Sequence, residues 1–305
     1  MIVNAQAVQA IFWNLQTAFN GAYEAAPTIW DQIATLVPST GSQNIYAWLE
    51  NFPRMRKWIA EKQIKALASH GYTLVNDDWE ATIEVNRNHI DDDQLGIYAP
   101  QAQNAGLSAK QLPDEIVIEL LNNGFQNLCY DGQPFFAQGH VVRGQAVSNM
   151  SNLPLTIAGQ AAAQKTYGVV RTNMRKTTDE DGRPLNITPS VLMVPPALED
   201  TANALMNNER LNDGMPNPYR KTATVLCDAR LTSDTAWYLL DTTKIIKPLI
   251  YQERKKPVFV QQVTEESDAV FLRKMFRFGA EARAAGGYGF WQMAAGSTGT
   301  APIPQ

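Results

Sequence analysis

The chain has 305 residues, of which 45% are hydrophobic and 18% are charged, and its formal net charge at pH 7 is −4. This composition is typical of a globular protein with one large domain or two, and it excludes a chain that is disordered throughout. A net acidic chain is also a poor candidate for a protein that binds nucleic acid through its overall charge.

Residues 4–26 have the spacing of an amphipathic helix, and Asn4 suits its N-cap. The apolar side chains that share one face of this helix are Val8, Ile11, Phe12, Leu15 and Phe19. The segment lacks the basic start and continuous apolar core of a secretory signal, and no apolar run of the chain is long enough to cross a membrane. We therefore expect no membrane association and a protein that is made in the cytoplasm.

Residues 43–90 have the pattern of a long hairpin, with a first strand around 45–49. Apolar residues alternate with polar ones on the downstream arm, and its apolar face comprises Trp79, Ala81, Ile83 and Val85. This arm is acidic, whereas the upstream arm carries five basic residues, Arg54, Arg56, Lys57, Lys62 and Lys65. One interpretation is a solvated hairpin with cross-strand ion pairs, each of which contributes little. If the hairpin instead projects from its domain, its apolar face has no core in the subunit and needs cover from a neighbour.

The sequence predicts a buried helix from Pro113 to about Gln126. Pro113 suits a first helical position, and Asp114 and Glu115 are favourable at the positive end of the helix dipole. Apolar residues at helical spacing include Val117, Leu120, Leu121 and Leu128. The apolar stripe is wide, which indicates burial on more than one side.

The second half of the sequence mixes helices and strands, which predicts an α+β protein. We predict helices at 158–174 and 197–208 and strands at 191–194, 222–227, 236–240, 249–251 and 258–260. Phe271, Met275 and Phe278 have near-helical spacing, so we interpret them as core residues and the nearby arginines as surface or interface charges. The glycine-rich run at 286–289 predicts a flexible link.

The residues offer little sign of catalysis. No phosphate-binding loop, nucleophile elbow or HExxH helix is present. His70, His89 and His140 are scattered, and the acidic run at 91–93 lacks the alternating oxygens and the glycine of a calcium loop. Cys129 and Cys227 lie far apart and outside any CxxC or Cys/His cluster, so we interpret both as packing thiols. We predict no catalytic residue, no cofactor and no metal site.

Three stretches carry a resemblance to a known family: DDQLGIY at 92–98, PDE at 113–115 and CYDGQPFF at 129–136. They resemble the major head protein of Mu-like phages and prophages, a branch of the Hong Kong 97-like capsid fold, and the resemblance extends over nearly the whole chain. It implies five parts. These are an N-terminal arm (1–42), an extended β-hairpin or E-loop (43–90), a peripheral domain with a long spine helix (91–150), an axial domain (151–245), and a return to the peripheral domain with a C-terminal tail (246–305).

The resemblance also implies a function. It implies a major capsid protein that assembles as hexamers and pentamers into an icosahedral head, which encloses viral DNA without sequence-specific binding. The implied partners are further copies of the chain, scaffold, protease and portal proteins and, as an option, a decoration protein. The protein would be assembled in the host bacterial cytoplasm and would end in the virion.

Two groups of residues acquire expected roles from this resemblance. The basic hairpin residues, together with Trp79, Ile83 and Val85, are expected to contact a neighbouring subunit. Val117, Leu120 and Leu121 are expected to form the core of the spine helix. Two alternatives stay open: another virion or tail structural protein, and a cytoplasmic α+β enzyme with an unrecognised site.

Overall fold

The computed structural model describes residues 5–47, 49, 71–86, 88–89, 97–179, 181–263 and 275–303. Within these ranges the helices are α1 (Ala5–Ala25), α2 (Trp30–Ile33), α3 (Ala99–Asn123), α4 (Gln160–Ala163), α5 (Val169–Arg175) and α6 (Glu199–Asn207). A π-helical turn, Gln164–Gly168, joins α4 to α5, and single 3₁₀ turns lie at Pro196–Leu198 and Trp291–Met293. The mixture of helices and strands confirms the predicted α+β class.

Thirteen strands are present in the described residues. They are β1 (Ala34–Pro38), β2 (Gln43–Ile45), β3 (Thr73–Val75), β4 (Asp77–Asn86), β5 (His140–Val142), β6 (Gln145–Val147), β7 (Met150–Ser151), β8 (Val191–Val194), β9 (Thr224–Cys227), β10 (Trp237–Leu240), β11 (Leu249–Gln262), β12 (Met275–Tyr288) and β13 (Ala294–Ser297).

The first large sheet has the strand order β1-β11-β12-β4, with β1 parallel to β11 and the other pairs antiparallel. Helices α1 and α3 cover part of one face of this sheet. The shared core contains Leu15 and Phe19 of α1, Ala102 of α3, Val85 of β4 and Phe278 of β12. The predicted N-terminal helix is confirmed, and its apolar stripe is the side that enters this core; Asn4 lies outside the described residues.

The second large sheet has the strand order β7-β13-β10-β8-β9 and is buried on both faces around β8. Leu192 and Val194 of β8 face a core formed with α4, α5 and α6, whereas Val191 and Met193 face the core around α3. A strand buried on two sides reads as a continuous apolar run, which is why 191–194 could be predicted from sequence.

The long helix α3 begins at Ala99, so the prediction that it starts at Pro113 is wrong. Pro113 lies inside the helix, where it removes one backbone hydrogen bond. The earlier half is held by packing: a Cβ at Gly106 would collide with the backbone carbonyl of Phe19, so α1 and α3 cross in close contact. Tertiary packing of this kind overrides the local cost of the proline.

The C-terminal part of α3 enters a core, as predicted for Val117 and Leu121. Both side chains are fully buried between the two large sheets. Leu120 is only half-buried and packs close to Gly286 of β12. Leu128 lies beyond the end of the helix and is exposed, so its assignment to the apolar stripe is wrong.

Strand β4 confirms the predicted strand but changes its interpretation. It pairs with β12 along its whole length, and Ile83 and Val85 are buried against α1 and α3 of the same subunit. The premise that this apolar face has no core in its own subunit is therefore wrong, and these two side chains are not available to a neighbour in this subunit structure. Trp79 is half-buried, and its Nε1 donates a hydrogen bond to the carbonyl of Ala284 at 3.2 Å.

The C-terminal strands correct three further predictions. The two runs around Pro257 form one strand, β11, whose register shifts between Glu253 and Val258; proline is tolerated in a strand at such irregularities. The segment with near-helical spacing is strand β12 over its described part. Gly286 and Gly287 lie inside β12, where a Cβ would collide with side chains of α3 and β3, so they are a close-packing site and not a flexible link.

Candidate functional site

Strands β2 and β3 flank the central segment of the predicted E-loop, and a buried polar cluster anchors them. We call this cluster, formed by Ser39, Tyr46, Asn76 and Gln252, the root network. The Tyr46 hydroxyl donates to Gln252 Oε1 at 2.7 Å, and Gln252 Nε2 donates to Asn76 Oδ1 at 2.7 Å. Asn76 Nδ2 then donates to Ser39 Oγ at 2.9 Å. Burial raises the pKa of Tyr46 to about 12, so its hydroxyl remains a proton donor at neutral pH.

Substituting Gln252 should test how much the root network contributes to the stability of the subunit. Gln252→Leu removes the buried hydrogen bonds that Gln252 makes with Tyr46 and Asn76, which we expect to lower the free energy of unfolding by about 2–3 kcal/mol. Urea unfolding of the unassembled subunit measures this. Gln261→Leu, at an exposed position of the same strand, is the matched control and should change stability by less than about 0.5 kcal/mol. Equal stabilities of the two variants would contradict the role of the network.

The exposed face of the first large sheet carries ion pairs between neighbouring strands. Arg277 of β12 lies 2.8 Å from Glu84 of β4, and Lys255 of β11 lies 3.1 Å from Glu281 of β12. Glu84, which lies on the acidic downstream arm of the predicted hairpin, is thus paired with β12. Because these pairs are exposed, they favour register more than stability.

A second buried polar cluster joins α2, α3 and the loop between β9 and β10. We call Asp114, Asp228 and Arg230 the junction cluster. Asp114 Oδ1 accepts hydrogen bonds from the backbone N–H groups of Ile29 at 3.0 Å and Trp30 at 2.8 Å, where α2 has no side-chain cap of its own. Asp114 Oδ2 lies 3.3 Å from Arg230 Nη2. The carboxylate therefore acts in mid-helix as a cap for another helix, and not at an N-terminus of its own.

Asp228 completes the junction cluster, with Oδ2 at 2.6 Å from Arg230 Nη2. Burial raises the pKa of Asp228, but hydrogen bonds and charge from Arg230 outweigh it, so the net pKa lies below its usual value. A carboxyl whose pKa is lowered by folding contributes stability above its unfolded pKa, and this contribution is lost as the pH falls through its folded pKa. The junction should therefore weaken in acid.

A third cluster contains Cys129, Asp131 and His140. The turn at Asp131-Gly132 folds the segment after α3 back on itself, and it brings the buried His140 of β5 to 2.6 Å from Asp131 Oδ2 through Nδ1. The Cys129 thiol donates to Asp131 Oδ1 at 3.1 Å. These three are the residues of the described ranges whose donor atoms could hold a metal ion.

The cluster is not a nucleophile–base pair. The aspartate lies between the thiol and the imidazole, so His140 contacts Asp131 and not Cys129. Burial raises the pKa of the Cys129 thiol, and the nearby Asp131 charge raises it further, which disfavours a reactive thiolate. His140 is a hydrogen-bonded core residue that also stacks on Trp291, as the non-catalytic interpretation predicts.

The predicted residues are therefore distributed among different places. Val117, Leu120 and Leu121 lie together in or beside one core. The five basic hairpin residues lie outside the described residues, as do His70 and the acidic run at 91–93. The root network and the junction cluster were missed, because each joins residues that are distant in sequence.

The profile of the family described as "Mu-like prophage major head subunit gpT" matches residues 8–159, 154–231 and 227–301, which together span nearly the whole chain. The chain belongs to this family. The protein named "Major capsid protein" of Escherichia phage Mu is 32% identical over 96% of this chain and 74% of that protein. "Mu-like prophage FluMu major head subunit" of Haemophilus influenzae is 31% identical over 96% of this chain and 73% of that protein.

Solved structures of capsids and a virus-like particle share the fold of this chain. The procapsid of bacteriophage JBD30 matches 99% of this head subunit and 78% of that chain, with a TM-score of 0.61 and 31% identity. The JBD30 capsid matches 76% of this chain and 100% of that chain, with a TM-score of 0.59 and 28% identity. A virus-like particle from Pyrococcus furiosus shares the fold at a TM-score of 0.55 and only 8% identity. These likenesses confirm the Hong Kong 97-like fold. Among the described helices, none has the length and apolarity needed to span a membrane.

Proposed function

We propose that this Mu-like head subunit is a major capsid protein, which self-assembles into an icosahedral head that encloses phage DNA. The observation that carries this proposal is the match to a named major capsid protein along 96% of the chain. Its function is structural, as in the rest of its family, and no catalytic step is involved. The capsid fold adds independent support, because it extends over 99% of the chain in the procapsid comparison.

We propose the expected division into parts, which the packing of most of the described elements supports. We assign α1 and α2 to the N-terminal arm, β2, β3 and β4 to the E-loop, and α3 with the β11–β12 pair to the peripheral domain. We assign the second large sheet, with α4, α5 and α6, to the axial domain. This sheet includes β13, which lies in the range 246–305 that was expected to return to the peripheral domain. The junction cluster then joins the arm, the spine helix and the axial domain.

In this proposal, copies of the subunit form hexamers and pentamers, and the E-loop contacts the next subunit. The base of the loop offers an apolar surface, since Ile45 and Val75 are 62% and 58% exposed. Their register, Ile45 opposite Thr73 and Gln43 opposite Val75, places both on the same face of the two strands. The basic residues Arg54, Arg56, Lys57, Lys62 and Lys65, together with Trp79, would then set the register of contact.

The proposed partners follow from a capsid role. Identical subunits are the main partner, and scaffold, protease and portal proteins act during assembly in the host bacterial cytoplasm. A decoration protein is a further candidate partner, since one JBD30 capsid is described as decorated with minor capsid protein trimers. The acidic net charge of −4 fits a shell that encloses DNA without gripping its phosphates.

The test is assembly together with protease protection. Coexpression with the phage scaffold should give closed shells by negative-stain electron microscopy. Trypsin should cleave the unassembled subunit between Arg54 and Lys65 and should spare the same bonds in the shell. Shells with equal cleavage would contradict the E-loop contact, and tubes or rings would contradict the capsid function.

Charge variants separate the E-loop contact from folding. Replacing Lys57, Lys62 and Lys65 together by Glu should leave the thermal unfolding of the subunit unchanged and should reduce the yield of shells at least about 10-fold, because the proposed contact uses their positive charge and reversing it places like charges across the interface. The matched control replaces the same three residues by Arg and should assemble normally. Normal assembly of the Glu variant would contradict the proposed contact.

A further inference from the structure

The orientation of His140 is fixed by an asparagine on the far side of the ring. His140 Nε2 lies 3.2 Å from Asn149 Oδ1. Asn149 Oδ1 also accepts from the backbone N–H of Ala137 at 2.9 Å, and Asn149 Nδ2 donates to the carbonyls of Phe135 at 2.8 Å and Ala294 at 3.2 Å. The amide therefore cannot be turned around, and Nε2 must carry the hydrogen.

The opposite nitrogen of the ring then faces the ligand cluster. With hydrogen on Nε2, the electron pair of Nδ1 points at a carboxylate oxygen of Asp131 only 2.6 Å away. Two acceptors at this distance repel each other unless a cation lies between them, either a proton or a metal ion. The Cys129 sulfur lies beside them, and the three donor atoms are all within 4.8 Å of one another.

We propose that Cys129, Asp131 and His140 form a binding site for one zinc ion, with water as the fourth ligand. A thiolate, an imidazole and a carboxylate are the ligand types that zinc takes in proteins. The hydrogen bond from Nε2 to Asn149 supplies the outer partner that a metal-bound histidine usually has, because it fixes both the tautomer and the plane of the ring. Stacking on Trp291, with ring centroids 4.0 Å apart, restrains the ring further.

Zinc would replace two protons of the cluster. Its entry releases the thiol proton of Cys129 and the proton between His140 Nδ1 and Asp131 Oδ2, so two protons leave for each ion. Zinc–ligand bonds of about 2.0–2.3 Å require donor atoms roughly 3.3 Å apart or slightly more. Asp131, whose side chain is 22% exposed, has room to move away from His140 by less than about 1 Å and also opens the cluster to solvent. The donor atoms of Cys129 and His140, which are within 4.8 Å of each other, move closer together on binding.

The test uses the untagged, full-length subunit before assembly. We expect one zinc ion per chain, measured by competition with a chromophoric chelator after metal removal. Cobalt in place of zinc should give a sulfur-to-cobalt charge-transfer band in the near ultraviolet. Cys129→Ser and His140→Gln should each weaken zinc binding by more than about 100-fold, beyond the roughly 10–100-fold effect typical of an outer partner.

Cys227→Ser is the matched control, because Cys227 is the second free thiol and lies on β9, outside the cluster. It should keep the stoichiometry and the cobalt band. Cys129→Ser is nearly isosteric, so its circular dichroism should match that of the wild-type subunit even if His140→Gln folds poorly. The proposal would be overturned if the wild-type protein bound no zinc, or if Cys129→Ser bound zinc as tightly as the wild type. Loss of the cobalt band in Cys227→Ser would also overturn it.

Discussion

Leu121→Asp should abolish the soluble subunit and with it all shell formation. Leu121 is fully buried in the last turn of α3, between the two large sheets. The substitution removes an apolar side chain, at a cost of about 2–5 kcal/mol, and adds an ionised group without a partner, which costs several kcal/mol more. The sum approaches or exceeds the roughly 5–15 kcal/mol by which domains are usually stable. The soluble fraction after expression measures the effect.

Two further variants make this expectation sharper. Leu128→Asp applies the same chemical change just beyond the helix, at an exposed side chain, and should alter stability by less than about 0.5 kcal/mol. Leu121→Ala should stay soluble and lose about 2–5 kcal/mol in urea unfolding. Soluble Leu121→Asp protein that forms shells would show that this part of α3 does not lie in the core.

Asp114→Ala should lower the free energy of unfolding by about 2–4 kcal/mol. The variant leaves the N–H groups of Ile29 and Trp30 without an acceptor, each at a cost of roughly 1–3 kcal/mol if it stays buried. Arg230 keeps Asp228 as a partner and is partly exposed, so losing its contact with Asp114 adds little. Urea unfolding with an unchanged denaturant slope is the measurement.

A second substitution separates the effect of the hydrogen-bonding oxygen of Asp114 from the effect of its charge. Asp114→Asn retains an oxygen that can accept from the start of α2, so it should cost only about 1 kcal/mol. Glu115→Ala, at the exposed neighbouring position of α3, is the matched control and should be close to wild type. If Asp114→Ala were no less stable than Glu115→Ala, the carboxylate would not be what holds α2 to α3.

Sequence patterns predicted the elements whose environment is simple. Helix α1 has one buried face, and β4 alternates buried and exposed residues, so their periodicity matches their burial. The prediction for the C-terminal part of β12 failed because its glycines suggest flexibility, whereas they are required by the close approach of α3 and β3. The predicted start of α3 was wrong because Pro113 is a strong local signal for a helix N-terminus. Only the long-range packing of α3 on α1 shows that the helix continues through this proline.

The polar clusters depend on residues that are distant in sequence. Asp114 meets Arg230, and Tyr46 meets Gln252, only after the fold brings them together. Neither pair has a local spacing that sequence could reveal. The Cys129, Asp131 and His140 cluster is more local, since a turn at Gly132 suffices to form it, and a Cys-x-Asp run followed by a histidine was its available signal.

The strand order of the first large sheet has a consequence for synthesis on the ribosome. Strands β1 and β4 emerge early, but both pair with strands made near the end of translation, β11 and β12. The apolar faces of helices α1 and α3 therefore stay uncovered by the complete sheet during most of translation, which favours binding by chaperones. A prematurely terminated chain cannot complete this sheet, so truncated products should be excluded from the particle before any subunit contact can form.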